Sequence, residues 1–211
     1  MALTSLNNYS VQTDGPGSNT GLLMPKLKYR FRVTLLGFGV EASTVLTRQV
    51  VDIGRPKVSF EEMELPIYNS KVKLAGRYSW ENVTLNLRDD ANGEVARLVG
   101  QQIQKQFDFM EQASARSGID YKFTLRLEIL DGGNGAKETQ VLETFELYGC
   151  FVQNADYGDV NYGTNEPVQI ALTIVYDNAI QTNGTVGIGT NVGRAVASEL
   201  TTGQSSAAPL G

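Results

Sequence analysis

Side chains that could support catalysis are sparse in this 211-residue chain. It has no histidine, so the commonest general base and the commonest zinc ligand are both missing. Two carboxylates together can cleave glycosidic bonds, and adjacent acids occur at Glu61-Glu62 and at Asp89-Asp90. Neighbouring residues on a strand point to opposite faces, however, and acids just before a helix usually cap it. The sequence therefore predicts no catalytic residue and no enzyme.

Motifs for a cofactor or a metal are also incomplete. Residues 187–193 are glycine-rich but miss the dinucleotide fingerprint by one residue and follow no convincing strand. Residues 159–163 have part of the acidic pattern of a calcium loop, yet Ile170 occupies the place of the bidentate glutamate. The single cysteine, Cys150, lies in an apolar, strand-like context and is predicted to be a buried structural thiol. We expect no cofactor and no bound metal.

Charge is distributed unevenly along the chain. The formal net charge is -5 and the pI is about 4.9, which argues against binding nucleic acid by bulk attraction to phosphates. Residues 26–88 hold eleven basic and six acidic side chains, whereas residues 89–211 hold seven and sixteen. Such a split can be compensated within one fold or between neighbouring copies. The sequence leaves both possibilities open.

The length and the termini suggest one domain with polar extensions. At 211 residues the chain is long enough for one sizeable core. Residues 1–25 and 179–211 are polar and rich in small residues, and we expect such tails to be held by neighbouring subunits. The first residues lack the pattern of a signal peptide, and no apolar run reaches the ~18 residues that span a bilayer. We expect synthesis in the cytosol and no membrane insertion by this chain.

Between the tails, apolar and polar residues mostly alternate, which is typical of half-buried strands. In residues 26–35 the apolar face is opposed by a basic one. The glycine-rich residues 132–135 predict a hairpin turn. The predicted strands after the first are 46–53, 56–62, 78–88, 121–129, 141–152 and 168–176.

One amphipathic helix is predicted between two of these strands. Asp89, Asp90 and Asn92 offer side-chain acceptors to the free N–H groups of a helix start, and the helix is expected to end near Gly118. Its apolar stripe consists of Val95, Leu98, Val99, Ile103, Phe107 and Met110. A single such helix must bury its stripe on a sheet. We therefore predict an α+β, mainly β fold: an antiparallel β-barrel or sandwich with one long amphipathic helix and a protruding hairpin arm.

The arm is predicted for residues 65–77, where a basic segment leaves the strand pattern. Pro66 fixes the backbone at one end and Asn69-Ser70 can turn, while basic residues alternate with apolar ones. From its composition the arm could bind a protein or an anion. The residues predicted to form its contact surface are Leu65, Ile67, Tyr68, Lys71, Lys73 and Arg77.

Two stretches resemble the tail tube proteins of contractile-tailed bacteriophages, a family related to the tube proteins of type VI secretion systems. The first comprises Leu65-Pro66, Lys71 to Gly76, Trp80, Val83 to Leu85 and Asp89-Asp90. The second comprises Leu147 to Phe151, Glu166 and Val168 to Asp177. Together they cover most of residues 26–178, in the order expected of the family. The chain then divides into an N-terminal arm at 1–25, a tail tube domain at 26–178 and an extension at 179–211.

The resemblance implies a structural subunit that forms hexameric rings, stacked into a hollow tube that delivers DNA. The implied partners are further copies, the tail sheath, baseplate and tail terminator proteins, and viral DNA that passes through without specific binding. The implied location is the virion tail, made and assembled in the host cytoplasm. In such a tube, Lys71, Lys73 and Arg77 are predicted to face the acidic later half of a neighbour.

Glu128, Glu138 and Glu146 are the candidates for facing the lumen, because they are acids on strands whose alternate positions look buried. Two other functions stay open. One is the tube subunit of a secretion system or another contractile injection system, which moves proteins. The other, from a different class, is a monomeric β-rich ligand-binding module.

Overall fold

The computed structural model describes residues 25–39, 44–131, 139–163, 165–183 and 188. The backbone divides into two compact units, Met1–Arg30 and Phe31–Gly211. In the first unit, the described residues 25–30 contain a turn in which the Arg30 N–H donates to the Leu27 carbonyl over 3.2 Å. The strand predicted from residue 26 is therefore wrong in its first half. It begins at Phe31, because the turn interrupts the alternating pattern.

The described residues of the second unit are mainly β, with antiparallel pairing and two helices, so the predicted α+β, mainly β class is confirmed. The helices are α1 (Thr44–Gln49) and α2 (Glu94–Gln106), and a 3-10 turn follows at Gly118–Asp120. The strands are β1 (Phe31–Leu36), β2 (Val50–Ile53), β3 (Val58–Ile67), β4 (Ser70–Trp80), β5 (Val83–Arg88), β6 (Phe107–Asp108), β7 (Ala113–Ser114), β8 (Phe123–Leu130), β9 (Val141–Asp156), β10 (Gln169–Val175) and β11 (Asn178–Thr182).

Strand β9 joins two halves of one seven-stranded sheet. The strand order is β1-β8-β9-β10-β5-β2, and β11 also pairs with β9. The first part of β9 pairs with β8 and with β11, and its last residues pair with β10. Both halves contribute alternate residues to a single apolar core. In the described part of the chain the end strands β1 and β2 do not pair, so the hydrogen bonding of the sheet does not close into a barrel there.

The sheet bends where β9 passes Asp177. Gly149 has φ of 68°, and a Cβ there would lie 2.7 Å from Cγ of Asp177 and closer still to Oδ2. The Asp177 N–H donates to the Tyr148 carbonyl over 3.0 Å, and its carboxylate lies 2.5 Å from Nζ of Lys122. Glycine is required here by both the positive φ and the close approach. This corner separates β10 from β11.

Helix α2 begins as predicted but ends earlier. The Asp90 carboxylate accepts from the N–H groups of Glu94 and Val95, over 2.9 and 3.4 Å, which confirms its capping role. Residues Phe107 and Met110, predicted to continue the apolar stripe, instead lie in the exposed β6–β7 hairpin and its turn. The Asp108 carboxylate accepts from the N–H of Met110 over 2.9 Å, so a local turn replaces the helical hydrogen bonds.

Two further segments differ from the sequence prediction. The strand predicted at 46–53 begins only at Val50, because residues 44–49 form α1 and place Leu46 in the core. At the other end, β11 continues the sheet into residues assigned to the C-terminal extension, and Ala179 is buried. The subunit contacts predicted for the tails at 1–25 and 179–211 stay a prediction, and residues 1–24, 184–187 and 189–211 of these tails lie outside the described residues.

Candidate functional site

Strands β3 and β4 form a hairpin, here called the arm (Val58–Trp80), that pairs with no other described strand. Its turn consists of Tyr68 and Asn69, since Ile67 pairs with Ser70. The protruding arm is thus confirmed and is longer than predicted. Residues 56–62 were predicted to form a separate strand of the sheet, but the strand begins at Val58 and pairs only with β4. Most residues of both strands are exposed.

The charged residues of the arm neutralise one another across the hairpin. Nζ of Lys71 lies 2.9 Å from Oε2 of Glu64, and Nζ of Lys73 lies 2.6 Å from Oε1 of Glu62. The two-residue turn sets the register of the two strands, in which Lys73 lies directly opposite Glu64. Each ion pair is therefore diagonal across the hairpin. Lys71 and Lys73 therefore have acidic partners within the arm. Their predicted contact with a neighbouring subunit stays a prediction, as does that of Arg77.

The other face of the outer arm is apolar and uncovered. Met63 pairs with Leu74 across the hairpin, and Leu65 pairs with Val72. These four side chains and Ile67 are between 40% and 54% exposed. We call these five residues the apolar arm face. A two-stranded hairpin is marginally stable by itself in water, and a contiguous apolar patch marks an interaction site. The arm is therefore suited to packing against another molecule.

A second surface lies on the half-sheet of β1, β8, β9 and β11, on the side away from the core. We call it the polar sheet face; it comprises Arg32, Arg126, Glu128, Thr144, Glu146 and Tyr148. Nε of Arg32 lies 2.6 Å from Oε2 of Glu128, and Nε of Arg126 lies 2.8 Å from Oε1 of Glu146. Each acid therefore has an arginine partner, so the face is electrically balanced.

Two of the three predicted lumen residues belong to this face. Glu128 and Glu146 share one side of the half-sheet, while their strand neighbours Leu127 and Leu147 are buried in the core. Glu128 is itself only 8% exposed. Glu138 lies outside the described residues. Sequence alternation identified these acids, but their arginine partners depend on the cross-strand register of β1, β8 and β9.

The pKa of Glu146, on the polar sheet face, is lowered from its ordinary value. The Tyr148 hydroxyl donates to its carboxylate and is the main cause of its lowered pKa, with Arg126 contributing and desolvation opposing. The same hydrogen bond raises the pKa of Tyr148. Because the folded state favours the ionised carboxylate, Glu146 stabilises the fold above its unfolded pKa, near 4.5, and this stabilisation is lost as pH falls through its folded value.

Replacing Glu146 with glutamine should therefore weaken the dependence of the free energy of unfolding on pH in the acidic range. We expect the substitution to cost about 0.2–1 kcal/mol near pH 7, as is usual for a solvent-screened pair. The cost should shrink as the pH falls below 4.5. Urea denaturation of the unassembled protein across this range measures it. Glu111→Gln, at an exposed acid outside the polar sheet face, is the control; an equal pH response in both variants contradicts the assignment.

The described residues contain no cluster of three or more histidine, cysteine or acidic side chains that could hold a metal ion. Cys150 is buried as predicted, its thiol donates to the Leu147 carbonyl over 3.3 Å, and burial raises its pKa to about 12. Such a thiol is a poor nucleophile. Across the same described residues, no helix has the length and apolarity to cross a membrane.

Sequence comparison finds no matching family model and no matching curated protein. Solved structures match the fold. A chain from the baseplate of the anti-feeding prophage, determined with six-fold symmetry, aligns with a TM-score of 0.58 and 12% identity, covering 78% of this chain and all of that one. A chain from the sheath/tube terminator of the extracellular contractile injection system PVC aligns with 0.55 and 16%, covering 77% and 99%.

A chain from the sheath-tube complex of the same PVC system aligns with a TM-score of 0.54 and 15% identity, covering 76% of this chain and 93% of that one. Because nearly the whole of each matched chain is covered, the shared fold comprises a complete domain. The fold expected from the resemblance to tube proteins is thereby confirmed. At these identities the likeness concerns the fold alone, and the function must be argued from the geometry of this chain.

Proposed function

We propose that this chain is the structural subunit of a tube in a contractile injection machine, with copies arranged in hexameric rings that stack into a hollow tube. The observation that carries the proposal is the arm, a two-stranded hairpin with an uncovered apolar face. It stands on a domain whose fold matches chains of contractile injection systems over nearly their full length. Burial of the arm on a neighbouring copy would remove its exposed apolar surface from water.

The arm and the sheet edges supply the contacts that such an assembly needs. Leu65, Ile67 and Tyr68 are exposed near or at the end of the arm, where they meet a neighbouring subunit or ring. Strands β1 and β2 end the sheet with unpaired edges in the described part of the chain, and edges joined around a ring are no longer open to aggregation. A head-to-tail contact whose rotation closes forms a ring, and a second head-to-tail contact along the axis stacks the rings.

The polar sheet face is proposed to line the lumen. Its arginine–glutamate pairs leave no excess of either charge among its described residues. A balanced wall neither attracts phosphates strongly nor repels them, which suits a channel that must release what passes through it. Glu128 and Glu146 would then tune the surface of the bore instead of binding cargo.

The cargo separates two candidate functions. The resemblance to phage tail tubes favours a virion protein that carries viral DNA into the host, with sheath, baseplate and tail terminator proteins as partners. The matched structures come from the anti-feeding prophage and from an extracellular contractile injection system, which favours a tube that moves proteins. Mass spectrometry and nuclease digestion of particles purified with this chain separate the two, because only a phage tail joins a DNA-filled head.

Negative-stain imaging of the purified chain tests the tube itself. We expect annular end views with a central hole and regularly striated side views. A species that stays at the mass of one 23.0 kDa chain at every protein concentration contradicts the proposal and favours a monomeric binding module.

A charge swap within the arm tests whether its cations act between subunits. In the quadruple variant Glu62→Lys, Glu64→Lys, Lys71→Glu, Lys73→Glu, both ion pairs across the hairpin keep their geometry with the charges exchanged. Because these charges are compensated within the arm, we expect the association constant for assembly to stay within about threefold of the wild-type value. An exposed ion pair contributes less than ~1 kcal/mol. Sedimentation velocity measures this constant. Loss of assembly would show that Lys71 or Lys73 contacts acidic residues of a neighbour.

A further inference from the structure

The arm and the connection between β9 and β10 lie at opposite ends of strand β5. At the start of β5, the Glu81 N–H donates to the Lys57 carbonyl over 3.0 Å, so the arm continues the β2–β5 pair beyond the end of the sheet. At the other end of β5, the Asp89 N–H donates to the Val168 carbonyl over 3.0 Å. The six residues of β5 separate these two ends by about 20 Å.

The connection between β9 and β10 exposes several large side chains. We call its residues 157–163 the end loop. Tyr157 and Val160 are 47% and 85% exposed, and Tyr162 is fully exposed. Single exposed apolar residues are common on protein surfaces, but three within six positions concentrate apolar surface at one end of the sheet. The end loop is therefore a second candidate contact surface, distinct from the arm.

The two faces of the arm make different contacts. At the root, Val58 pairs with Trp80, whose ring packs against the core and lies 5.7 Å from the ring of Tyr176 between centroids. Successive residues of a strand point to opposite faces, so Leu65 and the rest of the apolar arm face lie on the face opposite Val58. The apolar arm face therefore does not continue the packing of the root. The chain's own end loop cannot cover it, because that loop lies at the far end of β5.

The charges near the two surfaces have opposite signs. Arg77 lies at the register shift of β4, is exposed, and has no ion pair within the described part of the chain, whereas both arm lysines are paired inside the arm. Residues 156–168 contain three acids and no basic residue. One of these acids, Asp159, is exposed and adjoins Val160. Complementary charges beside two apolar surfaces favour a contact between them.

We propose that the apolar arm face of one copy packs against the end loop of an adjacent copy, with Arg77 paired to Asp159 across the contact. The inference rests on the proposed function and names the surface that receives the arm. Because the arm and the end loop lie at opposite ends of β5, the contact is head-to-tail. Each copy uses both surfaces once, so the contact repeats through the assembly.

Cross-linking between engineered cysteines tests the contact directly. In the double variant Ile67→Cys, Val160→Cys, a short bismaleimide added to assembled protein should give a ladder of dimers, trimers and larger species on a denaturing gel. The native Cys150 is buried, with a pKa of about 12, so it should not react. The matched control is Ile67→Cys, Glu111→Cys, which places the second thiol at an exposed residue outside the end loop and should give no ladder.

Two outcomes of the cross-linking overturn the inference. One is monomers alone from the assembled Ile67, Val160 variant, and the other is a ladder of equal strength from the control. Either result leaves the tube intact as a proposal. Failure of the wild-type chain to assemble refutes the proposed function itself, so the two failures are distinguishable.

A charge exchange tests the ion pair within this contact. Arg77→Asp and Asp159→Arg should each lower the association constant for assembly about fivefold, the equivalent of about 1 kcal/mol. The double variant should recover most of this loss, because the pair is restored with its charges exchanged. Glu111→Arg, a charge reversal outside the end loop, should assemble like the wild type. Sedimentation velocity measures assembly, and thermal denaturation checks that each variant is folded. Additive losses in the double variant contradict the ion pair.

Discussion

Replacing both Leu65 and Val72 with aspartate is expected to abolish assembly while leaving the domain folded. The two residues face each other across the arm, are 42% and 40% exposed, and lie outside the core. Two carboxylates buried without partners in an apolar interface would each cost several kcal/mol, which exceeds what one subunit contact can absorb. Sedimentation velocity and negative-stain imaging measure the assembly, and thermal denaturation of the monomer measures the fold.

The matched control places the same two charges nearer the root of the same arm. Ser59 and Ser79 also face each other across the hairpin and are exposed, but they lie outside the apolar arm face. Ser59→Asp, Ser79→Asp should therefore assemble better than the Leu65, Val72 variant at equal protein concentration. Normal tubes from the Leu65→Asp, Val72→Asp protein would show that the arm is not buried in the assembly.

The substitution Gly149→Ala is expected to lower the free energy of unfolding of the unassembled chain by about 2–4 kcal/mol. Alanine is strained at the φ of 68°, and its Cβ would overlap the Asp177 carboxylate that faces Lys122 at the corner. The carboxylate would have to leave that position, and the bend of β9 would change with it. Urea denaturation at pH 7 measures the loss.

Gly100 is the comparison that isolates this effect. It lies in helix α2, with nothing within 4 Å of the place where a Cβ would lie. Gly100→Ala should therefore stabilise the protein by about 0.5–1 kcal/mol through helix propensity. In addition, Asp177→Ala in the Gly149→Ala background should recover the part of the loss that comes from overlap. Equal stabilities for Gly149→Ala and the wild type would contradict this account of the corner.

Alternation along the chain predicts the strands that have one face in the core. Val83, Leu85 and Leu87 in β5, and the alternate residues of β8 and β10, are buried as their spacing indicates. The pattern fails where a local hydrogen bond competes with it. A turn within residues 28–29 delays β1, and the Asp108 carboxylate ends the helical stripe at Gln106. Periodicity carries no information about such competition.

The candidate site was predictable in part. Pro66, the alternation of basic and apolar residues, and a turn near Asn69 indicated an arm that leaves the domain. A two-residue turn also places Glu64 opposite Lys73 in the strand register. Once that turn is assigned, the sequence therefore predicts that the charges within the arm compensate one another. The apolar arm face follows from the same register. By contrast, the arginine partners of Glu128 and Glu146 depend on strands far apart in sequence.

A cryo-EM reconstruction of the assembled protein tests the central claim most directly. The account predicts stacked hexameric rings in which Leu65, Val72 and Leu74 of each arm are buried against a neighbouring copy. It also predicts that the polar sheet face, with Glu146 paired to Arg126, lines the central channel. A reconstruction in which the arm extends freely into solvent, or in which no channel is present, would contradict it.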